Sequence, residues 1–166
     1  LHFAFFLSGI ATVLIGQVLP VLFKKLSLND NHGGQLFIAQ FIGSLTGNFI
    51  YNFTVKRFGF LFSILFGMLA LAFGCLVINA DNWSLCLLGF VILGIGIGAT
   101  LTSINMFVAE TNPRRQAAAL NILNFFWGVG AILSQPYIAF LGTPTSALLP
   151  TFLLAGLFFL TTILLF

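Results

Sequence analysis

The chain has 166 residues, of which 60% are hydrophobic and 5% are charged, and its mean hydropathy is +1.13. In soluble domains about a quarter of the residues are charged, so this composition excludes a water-soluble core and predicts an integral membrane protein. The net charge of +3 comes from six basic and three acidic residues in short connections, and it forms no nucleic-acid-binding patch.

Five stretches contain no Lys, Arg, Asp or Glu: 1–23, 31–55, 58–80, 82–109 and 116–166. A transmembrane helix needs about 20 mostly apolar residues, and the last stretch holds two, divided by Gly and Pro at 142–146. The sequence therefore predicts one all-α domain over residues 1–166 with six transmembrane helices, at about 1–23, 34–54, 58–79, 83–109, 115–141 and 147–166. Since it begins without Met inside an apolar helix, we expect a fragment.

The short connections carry an orientation signal. The second and fourth hold four of the six basic residues: Lys56, Arg57, Arg114 and Arg115. The first connection holds Lys24 and Lys25. Because basic residues accumulate in cytoplasmic loops, the pattern predicts that the N-terminus and the even-numbered connections are cytoplasmic. We expect a multi-pass protein of a bacterial inner (plasma) membrane.

The second predicted helix carries two stripes with four-residue spacing, which places each stripe along one side of a helix. The polar stripe consists of Gln40, Ser44, Asn48 and Asn52; the small-residue stripe consists of Ala39, Gly43 and Gly47. Small residues at this spacing let another helix backbone approach closely. One side is therefore expected to pack against a helix, while the neighbouring side is hydrated or hydrogen-bonded.

Polar residues also mark the first, fourth and fifth predicted helices, whereas the third and sixth carry few. Two interpretations stay open, since such groups either join helices or line a water-filled path. The candidate lining residues are Gln17, Gln40, Asn48, Asn121, Asn124 and Trp127. In the fourth helix, Gly94 and Gly98 form a GxxxG pair that predicts close packing.

Other motifs point to no chemistry. The glycines at 94–98 lie inside an apolar span, without the strand and acidic residue that a dinucleotide site requires. Cys75 and Cys86 belong to no metal-binding cluster. An enzyme would need ionisable residues that meet within the membrane as general acid and base, and only Glu110 lies near such a position. We therefore predict no catalytic residue, no metal and no cofactor.

The segments 96–108, 119–124 and 130–133 resemble the major facilitator superfamily, and within it the fucose:proton symporter branch of sugar permeases. Segments 23–26 and 56–59 are similar too. This resemblance implies the N-terminal six-helix half of a twelve-helix transporter, built as a 3+3 inverted repeat. The C-terminal half is then absent, and the sequence shows no convincing echo between helices 1–3 and 4–6.

The same resemblance identifies where the chain departs from the family pattern. Lys56 stands where the signature of the loop between helices 2 and 3 has an acidic residue, although Arg57 and Gly59 are retained. Gln17 and Leu101 stand where fucose-type symporters carry carboxylates. The resemblance therefore does not support proton coupling through this half.

The expected function is that of a secondary transporter half, which moves a small polar solute such as a sugar by alternating access. Its partners would be the solute, the lipid bilayer and the C-terminal six-helix half. The alternatives are an exporter of drugs or metabolites with the same fold, and a non-transporting membrane assembly subunit.

Overall fold

The computed structural model describes residues 1–141 and 148–165, which form five α-helices. These are α1 (His2–Leu26), α2 (Asp30–Val77), α3 (Trp83–Thr111), α4 (Gln116–Leu141) and α5 (Leu149–Leu165). The first four are long and apolar enough to cross a membrane, and α5 is a shorter apolar helix of 17 residues. The predicted division at 142–146 lies outside the described residues.

Helix α2 is long enough to cross a membrane twice. Its 48 residues would span about 72 Å as a straight helix, more than twice the thickness of a bilayer core. Gly59 interrupts it with φ 84° and ψ 176°, a conformation that costs little only for glycine. The side-chain oxygens of Thr54 and Ser63 lie 2.9 Å apart, although a straight helix would separate these positions by about 13 Å. The chain therefore reverses at Gly59, giving arms α2a (30–58) and α2b (60–77).

Several helix ends differ from the sequence-based expectation. The break was expected at 55–57, but the helix continues through Lys56 and Arg57, because the conformation that reverses the chain requires the glycine that follows. Helix α1 extends past residue 23, and Ser27 closes it in a left-handed conformation. Helix α2 begins four residues early, because Asn29 and His32 form a reciprocal capping box.

Arm α2a and α3 cross through four glycines. A Cβ atom added at any of them would come closer than 3.0 Å to a backbone carbonyl oxygen of the other helix. The pairs are Gly43 with Val91, Gly47 with Ile95, Gly94 with Gln40, and Gly98 with Ser44. Since the register advances by four residues on both helices, α2a and α3 run parallel, and their backbones are in direct contact.

Helices α1 and α4 form a second parallel crossing, which uses one glycine from each side. A Cβ at Gly9 would meet the carbonyl oxygen of Trp127, and a Cβ at Gly130 would meet that of Phe6. One turn further, the Ser134 hydroxyl lies 3.4 Å from the carbonyl oxygen of Ile10. The two helix backbones are therefore in close contact at Gly9 and Gly130, and one turn further a hydrogen bond joins the helices.

The remaining helices complete the bundle. Arm α2b runs antiparallel to α3, with Gly67 against Thr100 and Gly74 against Leu93, and α5 packs mainly on α2. The bundle has two ends that we name by residues. The Asn79 end contains 27–29 and 78–82, and the Gly59 end contains Leu1, Gly59 and 112–115. The odd-numbered connections described thus lie at one end and the even-numbered ones at the other.

Candidate functional site

The open side of α4 carries two of the candidate lining residues. Asn121 and Asn124 are exposed, five and eight residues into the helix, about 8 and 12 Å from its start at 1.5 Å per residue. Helix α4 is also the least buried and least apolar of the four long helices. These amides therefore lie within the membrane-spanning part of the chain, on a surface that no described residue covers.

Gln40 links α2a to α1. Its Nε2 donates a hydrogen bond to the carbonyl oxygen of Thr12 at 3.1 Å, while its Oε1 is buried and has no hydrogen-bond partner among the described residues. Gln17, five residues further along α1 than Thr12, is half-buried. Gln40 thus joins two helices through one amide atom and leaves the other unpaired.

Asn48 joins α2a to α3, because its Oδ1 accepts a hydrogen bond from the Thr102 hydroxyl. Asn52, one turn on, is exposed and donates to the carbonyl oxygen of Asn48 in its own helix. The polar stripe of α2a therefore serves helix packing at Asn48. At Asn52, the stripe reaches an exposed surface.

Trp127 lies at the α1·α4 crossing and is half-buried. Its Nε1 donor is enclosed without a partner among the described residues, as is the Thr100 hydroxyl. An enclosed polar group that makes no hydrogen bond costs about 1 to 3 kcal/mol. Trp127 and Gln40 therefore offer one donor and one acceptor that a water molecule or another polar group would stabilise.

The Gly59 end is basic. Its exposed cationic side chains are Lys56, Arg57, Arg114 and Arg115. The Arg57 guanidinium lies 5.5 Å from the centre of the Phe58 ring, within the range of a cation–π contact. A shallow depression of about 280 Å³, lined by residues 111–115, opens at the same end. The exposed surface at this end is therefore positively charged.

Buried hydroxyls hold the Gly59 end together, although their positions along the chain do not group them. Thr54 donates to Ser63, and the hydroxyl oxygens of Ser63 and Ser103 lie 2.8 Å apart. Ser103 is also bonded to the carbonyl oxygen of Ala99. The three side chains come from α2a, α2b and α3, so one hydroxyl chain joins both arms of α2 to α3.

Metal and thiol chemistry find no site in this arrangement. Within residues 1–141 and 148–165, no three His, Cys, Asp or Glu side chains cluster closely enough to hold a metal ion. Cys75 and Cys86 are fully buried and free. The described residues thus offer polar amides, aromatic rings and a basic end as their means of recognition.

A known family matches the whole chain by sequence. The profile described as Major Facilitator Superfamily matches residues 1–166. The chain belongs to this superfamily. Its all-α fold is one six-helix half of that architecture, with the spans α1, α2a, α2b, α3, α4 and α5. The superfamily's half contains a 3+3 inverted repeat, which exchanges the second span with the fifth and the fourth with the first. The two parallel crossings, α2a·α3 and α4·α1, are related in this way.

Curated relatives share part of the sequence. The chain is 30% identical over 96 residues to the rice sugar transport protein MST4, covering 57% of the chain and 19% of that protein. It is 28% identical over 130 residues to the putative metabolite transport protein YwtG of Bacillus subtilis, covering 77% and 28%. The minor myo-inositol transporter IolF of the same species is 27% identical over 97 residues, covering 58% and 22%. The matches span less than a third of each relative's length.

Proposed function

We propose that this chain is the N-terminal half of a secondary transporter that moves a small polyhydroxylated solute by alternating access. The observation that carries the proposal is the exposure of Asn121 and Asn124 on a membrane-spanning helix. Polar groups are unfavourable against lipid tails, so they face the interior of a bundle or a water-filled path. In this superfamily, such a path lies between the two halves near the bilayer midplane.

The class of solute follows from the chemistry of the candidate lining. Amides both donate and accept hydrogen bonds, which suits solutes that carry several hydroxyl groups. The rice relative is a sugar transport protein and one Bacillus relative is a myo-inositol transporter, and both names fit that chemistry. They support a sugar or polyol in general, while the fucose:proton symporter branch rests on the motif resemblance alone.

The lining is proposed as Gln17, Gln40, Asn48, Asn121, Asn124 and Trp127, and these residues do not contribute equally. Asn121 and Asn124 are the direct contacts, because they are exposed. Gln40 and Asn48 already bond neighbouring helices, so they position the lining. The Oε1 of Gln40 and the Nε1 of Trp127, unpaired among the described residues, then bond solute or water when the path opens.

The surroundings of this half would complete the transporter. A C-terminal six-helix half would cover the open side of α4 and complete the site. The basic Gly59 end would lie in the cytoplasm, by the positive-inside rule, with the protein in a bacterial inner membrane. Gln17 and Leu101 lie where the related symporters carry carboxylates, so any proton coupling would depend on the other half.

Asn124→Leu in the intact protein tests the proposal. We expect uptake of hexoses or myo-inositol per folded molecule to fall about tenfold or more, because a solute hydroxyl left without its partner costs about 1 to 3 kcal/mol. The measurement is initial uptake rate in proteoliposomes, normalised to folded, inserted protein.

Leu160→Ala is the control, since Leu160 is an exposed apolar residue of α5 far in sequence from the candidate lining. It should transport at the rate of the unaltered protein. Unchanged uptake per folded Asn124→Leu molecule would remove Asn124 from the path. Failure of the unaltered protein to move any hexose or inositol would refute the assignment of the solute class.

A further inference from the structure

The six spans divide into two groups according to their main packing partners. Helix α1 packs chiefly on α4, whereas α2 packs chiefly on α3 and carries α5. The boundary between the pair α1 and α4 and the group α2, α3 and α5 is called the seam here. Midway along it, one hydrogen bond from Gln40 to Thr12 crosses from α2a to α1. One apolar core spans both groups, and the hydrogen bonds across the seam add to its packing.

A series of hydrogen bonds crosses the seam twice at the Asn79 end. From α1, the Lys25 ammonium donates to the carbonyl oxygen of Asn79 at 2.5 Å. The Asn79 Nδ2 donates to the hydroxyl oxygen of Thr151 in α5 at 2.8 Å. Beside Thr151, the carbonyl oxygen of Pro150 accepts a 2.7 Å hydrogen bond from the Tyr137 hydroxyl of α4. These residues form a belt from α1 to α4.

The contact of Lys25 with this belt is exposed, whereas Asn79, at its centre, is half-buried. Its Nδ2 also donates to the carbonyl oxygen of Cys75 at 2.7 Å, and Thr151 is fully buried. Hydrogen bonds in such a low-dielectric setting are stronger than on an exposed surface. The ion pair from Lys25 to Asp81, at 2.7 Å, is weaker support because the Asp81 side chain is 88% exposed and screened by solvent.

The Gly59 end of the seam is built differently. There, a crevice of about 460 Å³ lies between the starts of α1 and α4 and the end of α3. Its lining includes His2, Phe107, Asn112 and Ile122, and no hydrogen bond between described side chains crosses it. The seam is thus tied at one end and open at the other.

We infer that Asn79 is the hub of a belt that fixes the two helix groups to each other at the Asn79 end, so that movement between them within this half is confined to the Gly59 end. This conformational device is independent of which solute is carried. It predicts that cutting the Tyr137–Pro150 link or the Thr151–Asn79 link loosens this end by a similar amount, because the two links follow one another on one route from α4 through α5 to Asn79.

Cys86 reports on the Asn79 end, because it is fully buried in the first turn of α3. The experiment measures maleimide labelling of Cys86 in the intact, membrane-inserted protein carrying Cys75→Ala. Tyr137→Phe and Thr151→Val each remove one hydroxyl with little change of shape. Each should raise the labelling rate about five- to tenfold, as expected when one hydrogen bond that opposes local opening is lost.

The double variant Tyr137→Phe with Thr151→Val separates a belt from independent contacts. Links in series give the double variant nearly the rate of either single variant, whereas independent contacts multiply their effects. Thr161→Val is the matched control, since the hydrogen bond that the structure describes for the Thr161 hydroxyl stays within α5, to Leu157. It should leave the rate unchanged.

A second thiol, introduced as Val108→Cys near the crevice, completes the test. The belt variants should leave its labelling rate as it is, because the links lie at the other end. The inference would be overturned if Cys86 were labelled no faster in Tyr137→Phe and Thr151→Val than in Thr161→Val. Multiplied effects in the double variant would overturn it as well. Because labelling needs no transport, these results are separate from the outcome for Asn124.

Discussion

The two parallel crossings of this half occupy equivalent places in the inverted repeat but are built with different numbers of backbone contacts. The α2a·α3 crossing uses four glycines over two helical turns, and the α1·α4 crossing uses only Gly9 and Gly130 before a serine hydroxyl takes over. Each glycine lets a backbone carbonyl of the partner approach where a methyl group would not fit. The first crossing is therefore the more rigid one.

The difference matters because of what each crossing supports. Helix α4, which presents Asn121 and Asn124, is attached to the bundle through the weaker crossing. Only three of its residues are fully buried, Leu123, Gly130 and Ser134. Helix α3, in contrast, is buried along much of its length. One architecture therefore combines a rigid core pair with a more adaptable pair beside the proposed path.

Gly47→Ala should have the largest effect on stability. A methyl group there collides with the carbonyl oxygen of Ile95 and with the backbone nitrogen of Ala99, and overpacking of this kind costs about 2 to 3 kcal/mol. The measurement is the free energy of unfolding in detergent. Gly34→Ala on the same helix is the control, since nothing lies within 4 Å of its added Cβ. If Gly47→Ala lowered the free energy of unfolding no more than Gly34→Ala does, the backbones would not be in close contact at this crossing.

Gly9→Ala should destabilise the protein by less, about 1 to 2 kcal/mol, because α4 has few other buried contacts and can shift outward. Gly16→Ala is the control on the same helix, with no atom within 4 Å of the added Cβ. The same unfolding assay applies. A cost for Gly9→Ala above that for Gly47→Ala would reverse the proposed order of rigidity.

The smallest expected effect is the coupling between Asn48 and Thr102. A double-mutant cycle with Asn48→Leu and Thr102→Val should give about 0.6 kcal/mol, the typical value for side-chain hydrogen bonds between membrane helices. Such a value would show that glycine contact, rather than polar bonding, dominates the α2a·α3 crossing. A coupling above about 2 kcal/mol, beyond the usual range for such bonds, would contradict that ranking.

Much of the fold could be predicted from the sequence, because lipid imposes a strong length requirement on apolar segments. The four-residue spacing of Gly43 and Gly47, and of Gly94 and Gly98, also indicated close helix packing. Spacing alone did not identify the partners. The structure shows that Gly94 and Gly98 face α2a, while Gly96 between them faces Leu71 in α2b.

The candidate site was less predictable. Gln40 and Asn48 carry the same amide chemistry as Asn121 and Asn124, so the sequence could not separate residues that join helices from exposed ones. That distinction depends on which helices meet. Asn79 and Thr151 were not expected to act together, since they are 72 residues apart and each is ordinary in its local sequence.

The reversal at Gly59 has a consequence for how the protein enters the membrane. A single residue outside the helical conformation joins two full spans, so no loop is available to let the second span lag behind the first during insertion. Once α2a is inserted, the start of α2b is therefore already held at the membrane surface. Lys56 and Arg57, beside the turn, would then stay on the side of synthesis, because moving them through the hydrocarbon is costly.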